Sequence, residues 1–179
     1  MMKRMIFLML FIGIYTLSFG QSKTDNYSFF KLIVTNEQGE ILLVGSNEEL
    51  EVTGSRYNDT LSIKEFNNWM GDRMGIKIKN IRLRGLLTFH YDWRSNPTLM
   101  HYYTAEYESG ELVLPEGCEK IEWVDIKKTA DFISYDEMNR IIQKINECEY
   151  LFGGSFRIWK DPITEKRKSE FIEPFYRLN

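Results

Sequence analysis

Gly54-Ser-Arg-Tyr-Asn-Asp-Thr-Leu-Ser-Ile-Lys-Glu-Phe-Asn-Asn-Trp-Met-Gly-Asp-Arg-Met-Gly75-Ile76 carries the strongest architectural signal in the chain. Its middle carries Ile63, Phe66, Met70 and Met74 at three- and four-residue intervals, the spacing of one apolar stripe on a helix. The spacing predicts a helix over 61–74. Thr60 or Asp59 offers a side-chain oxygen to cap its first turn, and Gly75 stands where a left-handed residue ends a helix. The segment therefore reads as a loop, a helix and a second loop, held between two glycines.

Strands are predicted on both sides. Residues 27–35 (Tyr-Ser-Phe-Phe-Lys-Leu-Ile-Val-Thr) are rich in β-branched and aromatic side chains, Asn36 to Gly39 is a turn, and Glu40 to Val44 is a second strand. After the helix, Lys77 to Tyr91 reads as one long strand kinked near Gly85. A turn at Arg94-Ser-Asn-Pro97 leads into another, Thr98 to Glu108. Glu119 to Val124 is a short strand. Within 131–148 a second helix places Met138, Ile141, Ile142 and Ile145 on one face, with Ser134 and Glu137 spaced as a capping box. Two strands around Asp161-Pro162, Phe156 to Trp159 and Glu170 to Tyr176, close the chain. The glycine pair Gly153-Gly154 reads as part of a turn, and Lys166-Arg167-Lys168 as a solvated hairpin turn.

The first stretch resembles the Nudix box, a loop-helix-loop of pattern G-x5-E-x7-R-E-U-x-E-E-x-G-U in which U is aliphatic. With the first glycine on Gly54, the last falls on Gly75 and the final aliphatic on Ile76 without a gap. The same register puts Thr60 on the first Glu, Asn68 on the Arg, Trp69 on the next Glu, and Asp72 and Arg73 on the Glu pair. The leading hairpin ending in Ile-Leu-Leu-Val44 and the later Glu119-Lys-Ile-Glu-Trp123 strand are similar to Nudix domains in the same order. The resemblance spans about 27–148 and implies an α/β (α+β) fold, a Nudix-like αβα sandwich with a mixed β-sheet. Residues 21–179 then form a single Nudix-like domain that includes a C-terminal β-hairpin extension.

In that family the box glutamates hold divalent metal ions against a diphosphate, and magnesium demands several oxygen ligands in near-octahedral array. Here only Asp72 keeps a carboxylate at a ligand position, and Arg73 brings a positive charge where a ligand belongs. Three readings stay open. The helix is structural and fills the groove; or the groove is a repurposed pocket, with Trp69 stacking on a ligand and Arg73 pairing an anion; or other acids, drawn from Asp72, Glu65, Glu119 and Glu122, run a hydrolase with magnesium or manganese. The expected function is an exported Nudix-fold protein without pyrophosphohydrolase activity, a binding or interaction module. The alternative is a metal-dependent hydrolase of a nucleoside diphosphate-linked or other phosphoanhydride substrate. No cofactor is expected outside that alternative. The third possibility is assembly through the aromatic C-terminal hairpin, with Phe171, Phe175 and Tyr176 as a contact edge.

Composition bounds the partners. Lys3 and Arg4 precede an apolar run from Met5 to Leu17, and Ser18-Phe19-Gly20 supplies small residues for cleavage before Gln21, so residues 1–20 read as a signal peptide. The expected location is periplasmic or secreted, with no stable membrane anchor after cleavage. Of 23 basic and 26 acidic residues, two bases lie in that leader, leaving 21 against 26, a net −5. Such a balance favours solubility and gives no support for binding nucleic acid or an anionic membrane, so the expected partner is an unspecified small molecule or protein. Cys118 and Cys148 allow either a disulfide or two free thiols. His90 and His101 supply no paired ligand set. Tyr102, Tyr103, Tyr107, Trp93 and Trp123 are expected in the core and sheet.

Overall fold

The computed structural model describes residues 28–57 and 60–179. The proposed leader, the residues up to Tyr27 and the possible cap Asp59 lie outside them. Strand β1 (Ser28–Thr35) lies inside the sheet with β2 (Glu40–Gly45) on one side and β6 (Thr98–Gly110), parallel to it, on the other. The full order is β3 (Leu50–Glu51), β2, β1, β6, β5 (Ile76–Tyr91), β8 (Phe152–Lys160) and β9 (Arg167–Arg177). Off that path, β4 (Gly54–Arg56) pairs with β1 and β7 (Lys120–Asp125) with β2. The β5–β8 pair is also parallel, and the other pairs are antiparallel, so the sheet is mixed.

One helix covers each face. Helix α1 (Ile63–Asp72) packs Phe66 and Met70, with Met74 beyond its end, on Phe30, Leu32 and Val34 of β1. Helix α2 (Asp136–Glu147) packs Met138, Ile141, Ile142 and Ile145 against Ile33, Leu87, Phe89 and Phe156. Successive residues of a strand point to opposite faces, so β1 must be apolar on both, which explains its unbroken run Leu32-Ile-Val. Lys31 is the exception, 5% exposed and on the α2 side.

Both predicted helices form with shifted ends. Ser62, not Thr60, caps α1: its hydroxyl accepts from the Glu65 backbone N–H while the Glu65 carboxylate accepts from the Ser62 N–H. At α2 the capping pair does not form, because Glu137 turns inward to meet Arg167 and the N-cap residue is Tyr135. Arg167 thus leaves the turn where its charged neighbours suggested it would stay. The C-terminal strands are longer than expected, and Gly153 and Gly154 sit inside β8. A side chain at Gly153 would strike the Tyr176 ring at 2.7 Å, so the pair serves close strand packing. Phe171 and Phe175 turn toward Phe156 and are partly buried, while Tyr176 is exposed on β9, the last strand of the sheet. The kink expected in β5 appears as register shifts up to Gly85. Trp93, expected in the core, is half exposed. Cys118 packs on the α1 side of the sheet and Cys148 on the α2 side, so both remain free thiols.

Candidate functional site

The box-spaced segment is built around its end glycines. At Gly54 a Cβ would lie 2.6 Å from Lys31 Cδ and 2.8 Å from the Phe30 carbonyl oxygen, because β4 presses on β1 there. Gly75 has φ +77°, and a Cβ would run into the Glu111 carbonyl oxygen and Val113. Gly75→Ala is expected to cost about 2–3 kcal/mol, strain plus clash. Gly39→Ala has the same φ and open space, and should cost about 1–2 kcal/mol. Urea unfolding of the two variants checks the difference.

The acids proposed for this segment stand apart. Asp72 pairs with Lys77 at 2.6 Å on the surface. The Ser62 hydroxyl and backbone N–H hold the Glu65 carboxyl below its ordinary range, so that side chain serves the helix cap. Glu119 accepts from the backbone and side-chain N–H groups of Asn47 at the β2–β3 turn. Glu122 pairs with Lys120 at 2.6 Å. Ile121 and Trp123 pack on the α1 side, so alternation puts Glu122 on the opposite face from the box helix. Among the described residues no three His, Cys, Asp or Glu side chains come together in a way that could hold a metal ion. The residues present do not fit the magnesium or manganese that the resemblance implies.

Trp69 and Arg73 are brought together, and with each other. The Arg73 guanidinium lies 5.1 Å from the Trp69 ring, which stacks on Phe66 at 5.2 Å. Trp69 remains 37% exposed. The groove beside the helix, about 900 Å³, is lined instead by Lys64, Asn68 and Asp72 of α1 and by Lys77, Lys79 and Asn80 at the start of β5. Trp69 neither fills this groove nor lines it.

A second pocket lies on the other face, between the sheet and α2, and its lining includes Tyr102 and Arg167, which the sequence placed in the core and in a hairpin turn. It holds about 200 Å³ and is walled by Phe29, Phe89, Tyr91 and Tyr135. Its polar groups are deeply placed. Lys31 donates to Glu51 at 2.5 Å and to the Val52 carbonyl at 3.2 Å. Tyr102 is 0% exposed, and its hydroxyl has no hydrogen-bond partner among the described residues. Burial pushes its pKa well above the usual phenol value, with the Glu137 charge adding to the effect, so the hydroxyl remains a donor. Tyr135 donates to Glu49 at 3.0 Å and is pushed up to about 12, by burial first and then by that carboxylate. Arg167 reaches in from β9, 4.3 Å from the Tyr135 ring and 5.7 Å from the Tyr91 ring, and forms an ion pair with Glu137, itself 1% exposed. The signals in the sequence were a lysine amid an apolar strand and a glutamate on the apolar side of a helix. Neither reveals its partner, because those partners lie far along the chain.

No family profile matches the chain, and no curated protein matches it either. Solved structures do. The mutator MutT protein of Bacillus halodurans is similar with a TM-score of 0.68 at 17% identity, over 82% of this chain and 99% of that one. The Nudix domain of Shewanella oneidensis NrtR, in complex with ADP ribose, gives 0.58 at 10% identity, over 75% and 96%. A Nudix hydrolase from Nitrosomonas europaea gives 0.57 at 13% identity, over 67% and 88%. The chain has a Nudix-like fold, a mixed sheet between two helices.

Proposed function

We propose that this chain is an exported Nudix-fold protein that binds a small molecule without hydrolysing a phosphoanhydride. The observation that carries the reading is the pocket beneath α2, where a fully buried, unpartnered Tyr102 hydroxyl and the buried Lys31 ammonium line one cavity. An unpaired buried hydroxyl costs about 1–3 kcal/mol, which a ligand accepting its proton would recover. The box helix supports the same reading from the other face. Its single carboxylate at a ligand position is tied to Lys77, and two positions that carry glutamate in the family pair as Trp69 on Arg73. The NrtR domain holds ADP ribose, so small-molecule recognition is compatible with this fold.

Magnesium or manganese at millimolar concentration is therefore expected to leave the melting temperature unchanged, with Asp72→Ala behaving as the parent protein. A metal-dependent stabilisation that disappears in Asp72→Ala, together with phosphate release from a nucleoside diphosphate derivative, would establish the hydrolase instead. Export is tested separately by sequencing the N-terminus of protein from the periplasm or medium. The expected first residue is Gln21.

A further inference from the structure

The pocket beneath α2 is rich in donors and poor in acceptors. Its lining carries three cations, Lys31, Arg94 and Arg167, against one acid, Glu51. Glu137 and Glu49 stand behind the wall, and each is already engaged, by Arg167 and by the Tyr135 hydroxyl. Lys31 spends two of its three protons on Glu51 and Val52, which leaves one. Among the described residues the Tyr102 hydroxyl and Arg167 Nε have no acceptor. Arg94 has no carboxylate in ion-pair range among the described residues; it lies 5.0 Å from the Tyr91 ring and reaches Thr98 Oγ1 at 3.4 Å. Burial raises the Tyr91 phenol, so it too stays a donor.

From this imbalance, and resting on the reading of the pocket as a ligand site, we propose that it takes a small planar monoanion, an aromatic carboxylate. The ring occupies the space between Phe29, Tyr91 and Tyr135, and the carboxylate accepts from Lys31, Tyr102 and Arg167. A carboxylate is the group this lining lacks: two oxygens with several lone pairs, able to take hydrogen bonds from an ammonium, a phenol and a guanidinium at once. The volume of about 200 Å³ admits one ring with its acid group. A neutral amide would offer half the acceptor and bring donors of its own, and an amine would offer none. Arg167 arrives from β9, so the C-terminal hairpin supplies part of the specificity.

Benzoate, benzamide and benzylamine serve as matched probes, followed by calorimetry and by ring-proton shifts of Tyr91 and Tyr135. Benzoate is expected to bind, benzamide at least about tenfold more weakly, and benzylamine not at all. Tyr102→Phe keeps the ring and removes only the donor, and is expected to weaken benzoate about tenfold while the protein stays folded. Arg94→Gln, at an exposed position, is expected to weaken it severalfold. Benzamide or benzylamine binding as well as benzoate, with the same ring shifts, would overturn the anion class and leave the pocket as a ligand site. Benzoate binding that neither variant alters would place it elsewhere and overturn the inference. No response to any of the three probes would count against the pocket itself.

Discussion

Glu137→Ala is expected to destabilise the protein by about 3–5 kcal/mol, the largest loss from any single charged residue. The Glu137 carboxylate is 2% exposed and pairs with Arg167, whose side chain is 26% exposed and stacked on Tyr135. Removing the acid leaves a guanidinium that is three-quarters buried without its counter-charge, and fuller solvation would require it to abandon that ring. The double variant Glu137→Met with Arg167→Leu should regain most of the loss, because replacing both ions with apolar groups of similar size removes two desolvation penalties at once. Equilibrium urea unfolding of Glu137→Ala and of the double variant measures the loss and its recovery. A loss below about 1 kcal/mol for Glu137→Ala would show that the pair is solvated and contributes as surface pairs do.

The second large effect is expected at Phe156→Ala, about 3–5 kcal/mol. Phe156 is fully buried on β8, with the rings of Phe89, Phe171 and Phe175 at 5.6, 4.5 and 5.9 Å. Its removal opens a cavity on the α2 face of the sheet, where β5, β8 and β9 are hydrogen-bonded to one another and cannot collapse to fill it. Ile172→Ala, on the exposed side of the same hairpin, should change stability by no more than about 0.5 kcal/mol. Denaturant melts of the pair establish whether β9 belongs to the core. A comparable small effect at both positions would show the hairpin to be an appendage.

Much of the fold was legible because its signals are local. The α1 stripe, the alternation and runs of the strands, and the glycines that end the box segment depend on neighbours within a few residues. Helix ends were less legible. Ser62, Thr60 and Asp59 all offer capping oxygens within four positions, and only the path of the chain into α1 chose Ser62. At the second helix, Ser134 and Glu137 had the spacing of a cap, but a buried ion pair with a residue thirty positions away outweighed it. The candidate residues on the box helix differ in type from the glutamates of the pattern they resemble, and that much is a local property of the sequence. Their spacing did not reveal that Trp69 and Arg73 would satisfy each other while the groove opened along Lys64, Asn68 and Asp72.

A Nudix-like layered fold follows from local patterns, since hydrophobic period and glycine position are set residue by residue and each segment agrees with the next. Where the polar chemistry gathers depends on contacts between distant segments. Lys31, Tyr102 and Arg167 come from β1, β6 and β9, and strand order and register bring them to one cavity, with Glu137 of α2 holding Arg167 from behind its wall. Burial there removes water as their partner, so groups that would be ordinary on the surface become donors in search of an acceptor.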